Sequence, residues 1–178
     1  MDANGNDVKN VGGFSSVESE LQRIPTPIVR LETSDSTTDI NVGTLFPWGT
    51  AELIDTGTYS YTAGNPYLSV DEAGTYEVQV TIGINSTSNS QPRDNPNAEL
   101  FKNRTSSGAG GTRLKAAGRT GYVRQDTGHG LSSLHLSWLG ELTAGDTLAI
   151  QMFQEANDGT RTCRTQDTNM YVKKIARP

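Results

Sequence analysis

Positions 75 to 84 alternate without a break. Tyr76, Val78, Val80, Ile82 and Ile84 are apolar or aromatic, and Thr75, Glu77, Gln79, Thr81 and Gly83 between them are polar or glycine. A period of two over ten residues, rich in β-branched and aromatic types, predicts a strand with one face buried. Helical spacing would put Glu77 and Thr81 on the valine stripe. Before it, Asp71, Glu72, Ala73 and Gly74 read as a turn that brings Leu68 and Val70 back alongside. Asp71 can accept backbone N–H bonds there, and Gly74 is free to take a positive φ. A chain folded around such a strand is an all-β sandwich or barrel.

The same rhythm recurs along the chain. Residues 28–33 set Ile28 and Arg30 against Val29 and Leu31, a first strand, and 34–39 is a polar, charged loop. Phe46, Pro47 and Trp48 form an aromatic cluster at a break, followed by a short strand over 51–54. Two more short strands, 58–61 and 66–68, flank a Gly64-Asn65 turn. The stretch 85–97 is long and polar, and Pro92 and Pro96 exclude it from the middle of a sheet. Strand character resumes at 98–103, 105–111 is a glycine- and serine-rich loop, and 112–125 keeps no clear period. Leu134, Leu136 and Trp138 alternate with Ser133, His135 and Ser137. Residues 142–146 turn into an alternation of Leu148, Ile150 and Met152, and a polar loop over 157–168 leads to a last strand, 169–176. Many short strands at hairpin spacing with almost no helix predict an all-β fold, an antiparallel β-sandwich or jelly roll.

Residues 1–26 read as a short N-terminal extension and 27–178 as the jelly-roll domain. Ser15 and Glu18 have the spacing of a capping box, so a helix of two turns is expected to run to Arg23, where Pro25 and Pro27 stop it. Val8, Val11, Phe14, Val17 and Leu21 are the apolar anchors of this segment.

Composition narrows the class. The chain has 178 residues, the length of one domain with an appendage. Its 19 glycines fit many tight turns, and a hydrophobic fraction of 33% implies either a modest core or apolar surface completed by neighbouring copies. Burial between subunits is the preferred reading. The net charge of −5 lacks the broad basic field of a nucleic-acid binder. Five lysines against ten arginines in an acidic chain suit high-salt surroundings, although ordinary mesophilic variation explains them as well. Cys163 is the only cysteine, which leaves no intrachain disulfide and no thiolate metal site. No apolar run approaches a membrane span and no signal peptide opens the chain, so if the protein works outside cells it is expected to leave by another route, such as lysis in a virus particle.

The order of the pieces resembles the jelly-roll domain shared by the complement globular heads and the tumour necrosis factor family. The residues that carry this run from Pro66 through Leu68, Val70, Ala73 and Gly74 to Tyr76 and the alternation after it. Three later pieces agree in order: Leu100-Phe101-Lys102-Asn103, the Leu142-Thr143-Ala144-Gly145-Asp146 turn, and Met170-Tyr171-Val172. Arg104 stands where the family often has glycine, a departure that bears on the turn geometry and not on the fold. There is no collagen-like stalk. The resemblance implies a homotrimer, with Trp48, Tyr76, Trp138 and Tyr171 as aromatics of the core or of faces packed about a three-fold axis. Separately, residues 1–11 are similar to the Asn/Gly-rich segments of tailed-virus fibre and appendage proteins.

Groups that could do chemistry are few. Asp126, Ser132 and His135 lie near one another, but no Gly-x-Ser-x-Gly elbow presents the serine, and a polar strand face accounts for His135. His129 and His135 have no ligand pair beside them for a transition metal. Asp2, Asn4 and Asn6 resemble the start of a calcium loop, yet glycine is missing at the sixth place and Gly13 replaces the closing carboxylate. Neither a catalytic residue, a cofactor nor a metal is expected. Arg119, Tyr122 and Arg124, from a stretch of basic residues among glycines, are candidates for a receptor patch toward phosphate or anionic glycans. Asn85 and Asn103 begin Asn-x-Ser/Thr triplets.

The expected role is a virion structural protein, a trimeric turret, head fibre or decoration on a tailed virus, with a salt-loving, haloarchaeal host as an extension of that reading. Residues 1–26 would dock it to other virion proteins, and the head would contact a host glycan or protein, with no nucleic acid and no membrane insertion. The competing reading is a secreted ligand- or glycan-binding module of the same jelly-roll class.

Overall fold

The computed structural model describes residues 26–33, 43, 45–86, 95–107, 110–120, 123, 130–154 and 163–176. Among them are ten strands: β1 (Ile28–Thr33), β2 (Thr50–Ile54), β3 (Tyr59–Ser60), β4 (Tyr67–Val70), β5 (Gly74–Ser86), β6 (Pro96–Lys102), β7 (Thr112–Arg119), β8 (Leu131–Leu142), β9 (Thr147–Gln154) and β10 (Cys163–Ala176). They form two five-stranded antiparallel sheets, β2-β1-β10-β5-β8 and β3-β4-β9-β6-β7, stacked as a sandwich. No helix among the described residues is long and apolar enough to cross a membrane.

The alternation in β5 does what its period dictates. Tyr76, Val78, Val80, Ile82 and Ile84 are at most 1% exposed and face the other sheet. Both edges of the strand are paired, Val80 standing opposite Met170 of β10 and Leu136 of β8. From the second sheet Leu68, Leu100, Leu148, Ile150 and Met152 close the core, and Phe46 and Trp48 pack into it with ring centroids 4.6 Å apart. The Phe46 and Trp48 aromatics are therefore core.

Three expectations need correcting. The segment 71–74 is not a hairpin: β4 pairs with β3 and β9, while β5 lies in the opposite sheet, and Gly74 begins β5 without a positive φ. Two facing stripes, Leu68/Val70 and Tyr76/Val78, cover each other better across the sandwich than side by side in one sheet. Pro96 is not in a loop but opens β6, in the interior of its sheet. As the first residue of a strand it loses nothing for lack of an N–H, and its carbonyl accepts the Thr120 N–H at 3.1 Å. The last strand starts at Cys163, not 169, because β5 continues to Ser86 and pairs with it there. The register shifts between Gln166 and Asn169, where Asp167 has a φ of 49°. The stretch 112–125, without period in the sequence, supplies β7 through a bulge opposite Glu99 and Phe101, with Lys115 at φ 55°.

Of the connections that cross between the sheets, 71–74 and 143–146 bind each other. Val70 N–H donates to Asp146 O, and Gly145 N–H (φ 88°) donates to Val70 O, both at 2.8 Å. The first corner is also held at its other end. Tyr76 Oη donates to Glu72 O at 2.6 Å, and the buried Lys174 Nζ reaches Glu72 Oε2 at 2.7 Å. The β7 and β8 edges of the two sheets meet at Gly118, where an added Cβ would lie 2.9 Å from both His135 O and Leu134 Cδ1.

That contact yields a test of the closed edge. Gly118→Ala must push two backbones apart, costing about 1–3 kcal/mol as overpacking does, whereas the exposed Gly57→Ala should be close to neutral. Thermal denaturation of the two variants measures it, and equal melting temperatures would mean that the edge is open.

Candidate functional site

Alternation decides which side chains leave the sandwich. On the β2-β1-β10-β5-β8 sheet the outward set includes Arg30, Tyr171, Gln79 and Ser137 along one row, and Ile28, Lys173, Glu77 and Leu139 along the next. The large hydrophobics that stay exposed among the described residues are Leu53 (48%), Leu131 (69%), Leu139 (63%) and Ile175 (44%). All four are on this sheet. Leu53 stands opposite Arg30, Leu139 opposite Glu77 and Leu131 opposite Asn85; Ile175 alternates with the buried Lys174. The cations on the face stand beside carboxylates. Lys173 is the ladder partner of Glu77, and Arg30 bridges Glu32 and Glu52. His135 Nδ1 meets Thr81 Oγ1 at 3.2 Å in the polar middle.

The other outer face is finished differently. Among its large apolar residues, Phe101 is only 7% exposed, with the Arg104 guanidinium 3.6 Å from the ring centroid. Arg104 is fixed there by Nε donating to Gly110 O at 2.8 Å and by a bond to Gln151 Oε1. The positive φ of this turn is taken by Asn103 (59°), which accounts for an arginine at the next position. Arginine on an aromatic face is a roof, worth about 0.5–1 kcal/mol where exposed. The first face carries no such cover.

At one end of that uncovered face, where β1, β2 and β10 run together, lies a recess of about 520 Å³. Arg30, Glu32, Thr50, Asp167 and Asn169 are in its wall. Gly49 lets the chain close in, since a Cβ there would sit 2.7 Å from Glu32 O.

The corner at 143–146 is the most strongly organised polar group. Asp146 is 5% exposed and accepts Thr143 N–H (2.8 Å), Thr143 Oγ1–H (3.0 Å), Asn103 Nδ2–H (2.8 Å) and Lys102 Nζ (3.2 Å). Asn103 Oδ1 in turn accepts Thr147 N–H at 2.8 Å. Burial alone would raise the Asp146 carboxyl, but these donors outweigh it and hold the group down at about 2. In the opposite direction, loss of water pushes the Tyr76 phenol up to about 12 and the Tyr59 phenol higher still, with Asp71 and Glu72 adding to the rise at Tyr76.

Trp48 and Tyr76 lie in the core, and Trp138 packs partly buried against it, its ring folded over Gly140. Tyr171 stands on the uncovered face, half-buried between Arg30 and Gln79. Arg119 is exposed at the end of β7, and Tyr122, Arg124, Asp126 and His129 fall outside the described residues, as do Val8, Val11, Phe14, Val17, Leu21 and the capping-box segment. Ser132 and His135 point to opposite faces of β8 and do not meet. Asn85 lies within β5, paired on both sides, and Asn103 spends its amide on Asp146. Sequence reading passed over Leu53, Leu131, Leu139 and Ile175, although Leu139 carries a signal: it is apolar on the polar phase of its strand.

No protein-family model matches this chain, and no curated protein matches it either. Solved structures do. The fold is similar to that of Eiger TNF from S. frugiperda, with a TM-score of 0.56 at 15% identity over 86% of this chain and 95% of that one. It is similar also to murine APRIL, with a TM-score of 0.57 at 10% identity for the pH 8.0 structure and 0.55 at 11% for the pH 8.5 structure, each over 84% of this chain and 99% of that one. At such identities the likeness is one of fold: the chain is a TNF-like jelly-roll β-sandwich.

The depressed Asp146 carboxyl has a pH consequence. A group whose pKa falls on folding adds stability above its unfolded value, ordinarily 3.8, and the gain is lost as pH drops toward 2. Asp146→Asn would set an amide NH₂ among the donors and should cost about 1–3 kcal/mol at pH 7. Denaturant titration of both proteins should show the gap closing between pH 4 and 2; a gap independent of pH would put the loss elsewhere.

Proposed function

We propose that this chain is a non-enzymatic display head that assembles as a homotrimer through the outer face of the β2-β1-β10-β5-β8 sheet. In this reading it is carried on a virus particle as a turret, head fibre or decoration. The observation that supports assembly is the location of Leu53, Leu131, Leu139 and Ile175 on one face, whose cations stand beside carboxylates. Exposed apolar residues spread across one face from the β2 edge to the β8 edge suit a broad face-to-face association, and a second copy supplies the same chemistry. The number three comes from the resemblance to the tumour necrosis factor and complement jelly rolls. The particle comes from the resemblance of residues 1–11 to tailed-virus appendage proteins, with residues 1–26 as the docking segment. A head of this kind works by geometry, joining weak contacts into avidity.

A second reading has an observation of its own. Eiger TNF and APRIL match over nearly their whole length, which favours a free secreted ligand- or glycan-binding module. Particle association separates the two readings: deleting residues 1–26 should abolish incorporation into virions, and unchanged incorporation would remove the docking role.

Assembly itself is tested by mass. Sedimentation equilibrium of the purified protein should give three times the 19.1 kDa chain mass, at low and at high salt. Leu139→Lys with Ile175→Lys should shift it at least tenfold toward monomer, with each chain still folded by circular dichroism. A wild-type monomer would sink the proposal.

A further inference from the structure

The outward row of β8 runs Leu131, Ser133, His135, Ser137 and Leu139, and all five are exposed. His135 stands midway between the two leucines, about 13 Å from each at the rise of a strand. A copy of the chain laid over both leucines therefore lies over the imidazole as well. Histidine is the one side chain whose ordinary charge change falls between pH 5 and 8. Its surroundings decide whether a covered face tolerates a proton there.

Arg30 and Lys173 stand beside carboxylates, and His135 does not. Its ladder partner on β5 is Thr81, with Oγ1 3.2 Å from Nδ1, and the pairs on either side are Gln79 with Ser137 and Gly83 with Ser133. A threonine hydroxyl both donates and accepts, so it pairs with either form of the ring. Glu77, the acidic residue of β5, is opposite Leu139, about 13 Å along the strand and beyond the Debye length of about 8 Å at 0.15 M salt. Glu141 is farther along β8 itself. Across the row, Asn169 of β10 comes before Glu32 of β1. β7 approaches the His135 carbonyl at Gly118, and its charged residues are the cations Arg113, Lys115 and Arg119. On β6, Glu99 is held by Arg113, and Lys102 by Asp146. Among the described residues of one chain, no carboxylate is placed to neutralise an imidazolium at this position.

We propose that His135 is a pH switch of the trimer, which rests on the assembly reading of the same face. Neutral, the ring is covered together with Leu131 and Leu139. Protonated, it opposes the cover, because an ionised group taken out of water without a counter-charge is strongly disfavoured. The assembled heads bind fewer protons than the separated chains, so by linkage assembly weakens as pH falls. The face's carboxylates act in the opposite direction. Glu32, Glu52 and Glu77 outnumber Arg30 and Lys173, and protonating them lowers the repulsion between copies. Loosening in mild acid is therefore the signature of the histidine.

Sedimentation equilibrium of the full chain at pH 7 and pH 5, in one salt, should show association weaker by at least about tenfold at the lower pH, with circular dichroism unchanged. His135→Gln keeps a hydrogen-bonding group for Thr81 and cannot titrate, so it should assemble equally at both. His135→Lys, a fixed cation, should associate weakly at both; should it lose its fold, His135→Gln decides alone. His129→Gln should respond as the wild type does. A pH response that survives in His135→Gln, or one that vanishes in His129→Gln, overturns the switch. So does tighter association in acid, which would set a carboxylate of the neighbouring copy over the ring. A wild-type trimer of constant mass at both pH values removes the switch alone, whereas a monomer at pH 7 removes the assembly reading and the switch with it.

Discussion

Everything in this molecule depends on covering one strand. β5 is thirteen residues long, and its inward stripe from Tyr76 to Ile84 is at most 1% exposed. At about 25 cal/mol per Å² of apolar surface, such a stripe cannot stay in water. β10 and β8 satisfy its two edges but lie in the same sheet, so they leave the stripe bare. The cover has to come from a second sheet. The strands that flank β5 and β8 in the sequence, β4 and β9, therefore go across, and the short connections 71–74 and 143–146 become corners. Corners are the weak points of a sandwich, because the ladder stops there while backbone groups remain to be paired. Here the two corners share their bonds through Val70, while Asp146 accepts the Thr143 N–H and Tyr76 Oη donates to the Glu72 carbonyl.

The edges of the sheets follow the same logic. An unpaired edge invites a foreign strand. β3 is two residues long, β2 is five, and β7 presents Arg113, Lys115 and Arg119. β8, the longest edge, is closed by the approach of β7 at Gly118. With the edges blocked by brevity, charge and contact, association by strand addition is disfavoured. Under the proposed assembly, the route left is face to face, on the sheet that carries Leu53, Leu131, Leu139 and Ile175.

What the sequence made legible was the half of the fold governed by period two. β5, β8 and β9 could be read residue by residue, because one face of each is buried and the other is not. The corners could not be read. Asp71, Gly74, Gly145 and Asp146 announce a change of direction, but nothing local says whether the chain returns to the same sheet; that is decided by which stripe needs a cover. Pro96 looked like a breaker because the harm a proline does depends on its place in the ladder, and at the first position there is none. Residues 163–168 are polar without alternation and become strand only because the far end of β5 offers them a partner. The fold therefore emerged from patterns, whereas the outer face and the recess needed the register. Leu53, Arg30 and Tyr171 share a row across three strands, and no window of sequence brings them together.

The pairing of charges on the uncovered face has a physical meaning of its own. Arg30 lies with Glu32 and Glu52, and Lys173 beside Glu77, so each cation has an acidic neighbour within one chain. The carboxylates outnumber the cations, so charge gives this face no attraction to a copy of itself. Salt screens charges over about 10 Å at 0.1 M and about 3 Å at 1 M, so an interface that relied on them would loosen as salt rose. Burial of Leu53, Leu131, Leu139 and Ile175 does not weaken in that way, and salts excluded from protein surface strengthen it. Acidic composition and few lysines were compatible with a salty environment, although ordinary variation explains them equally well. Under the proposed assembly the difference loses importance, because burial of the apolar residues on this face would drive association by the same force in either setting.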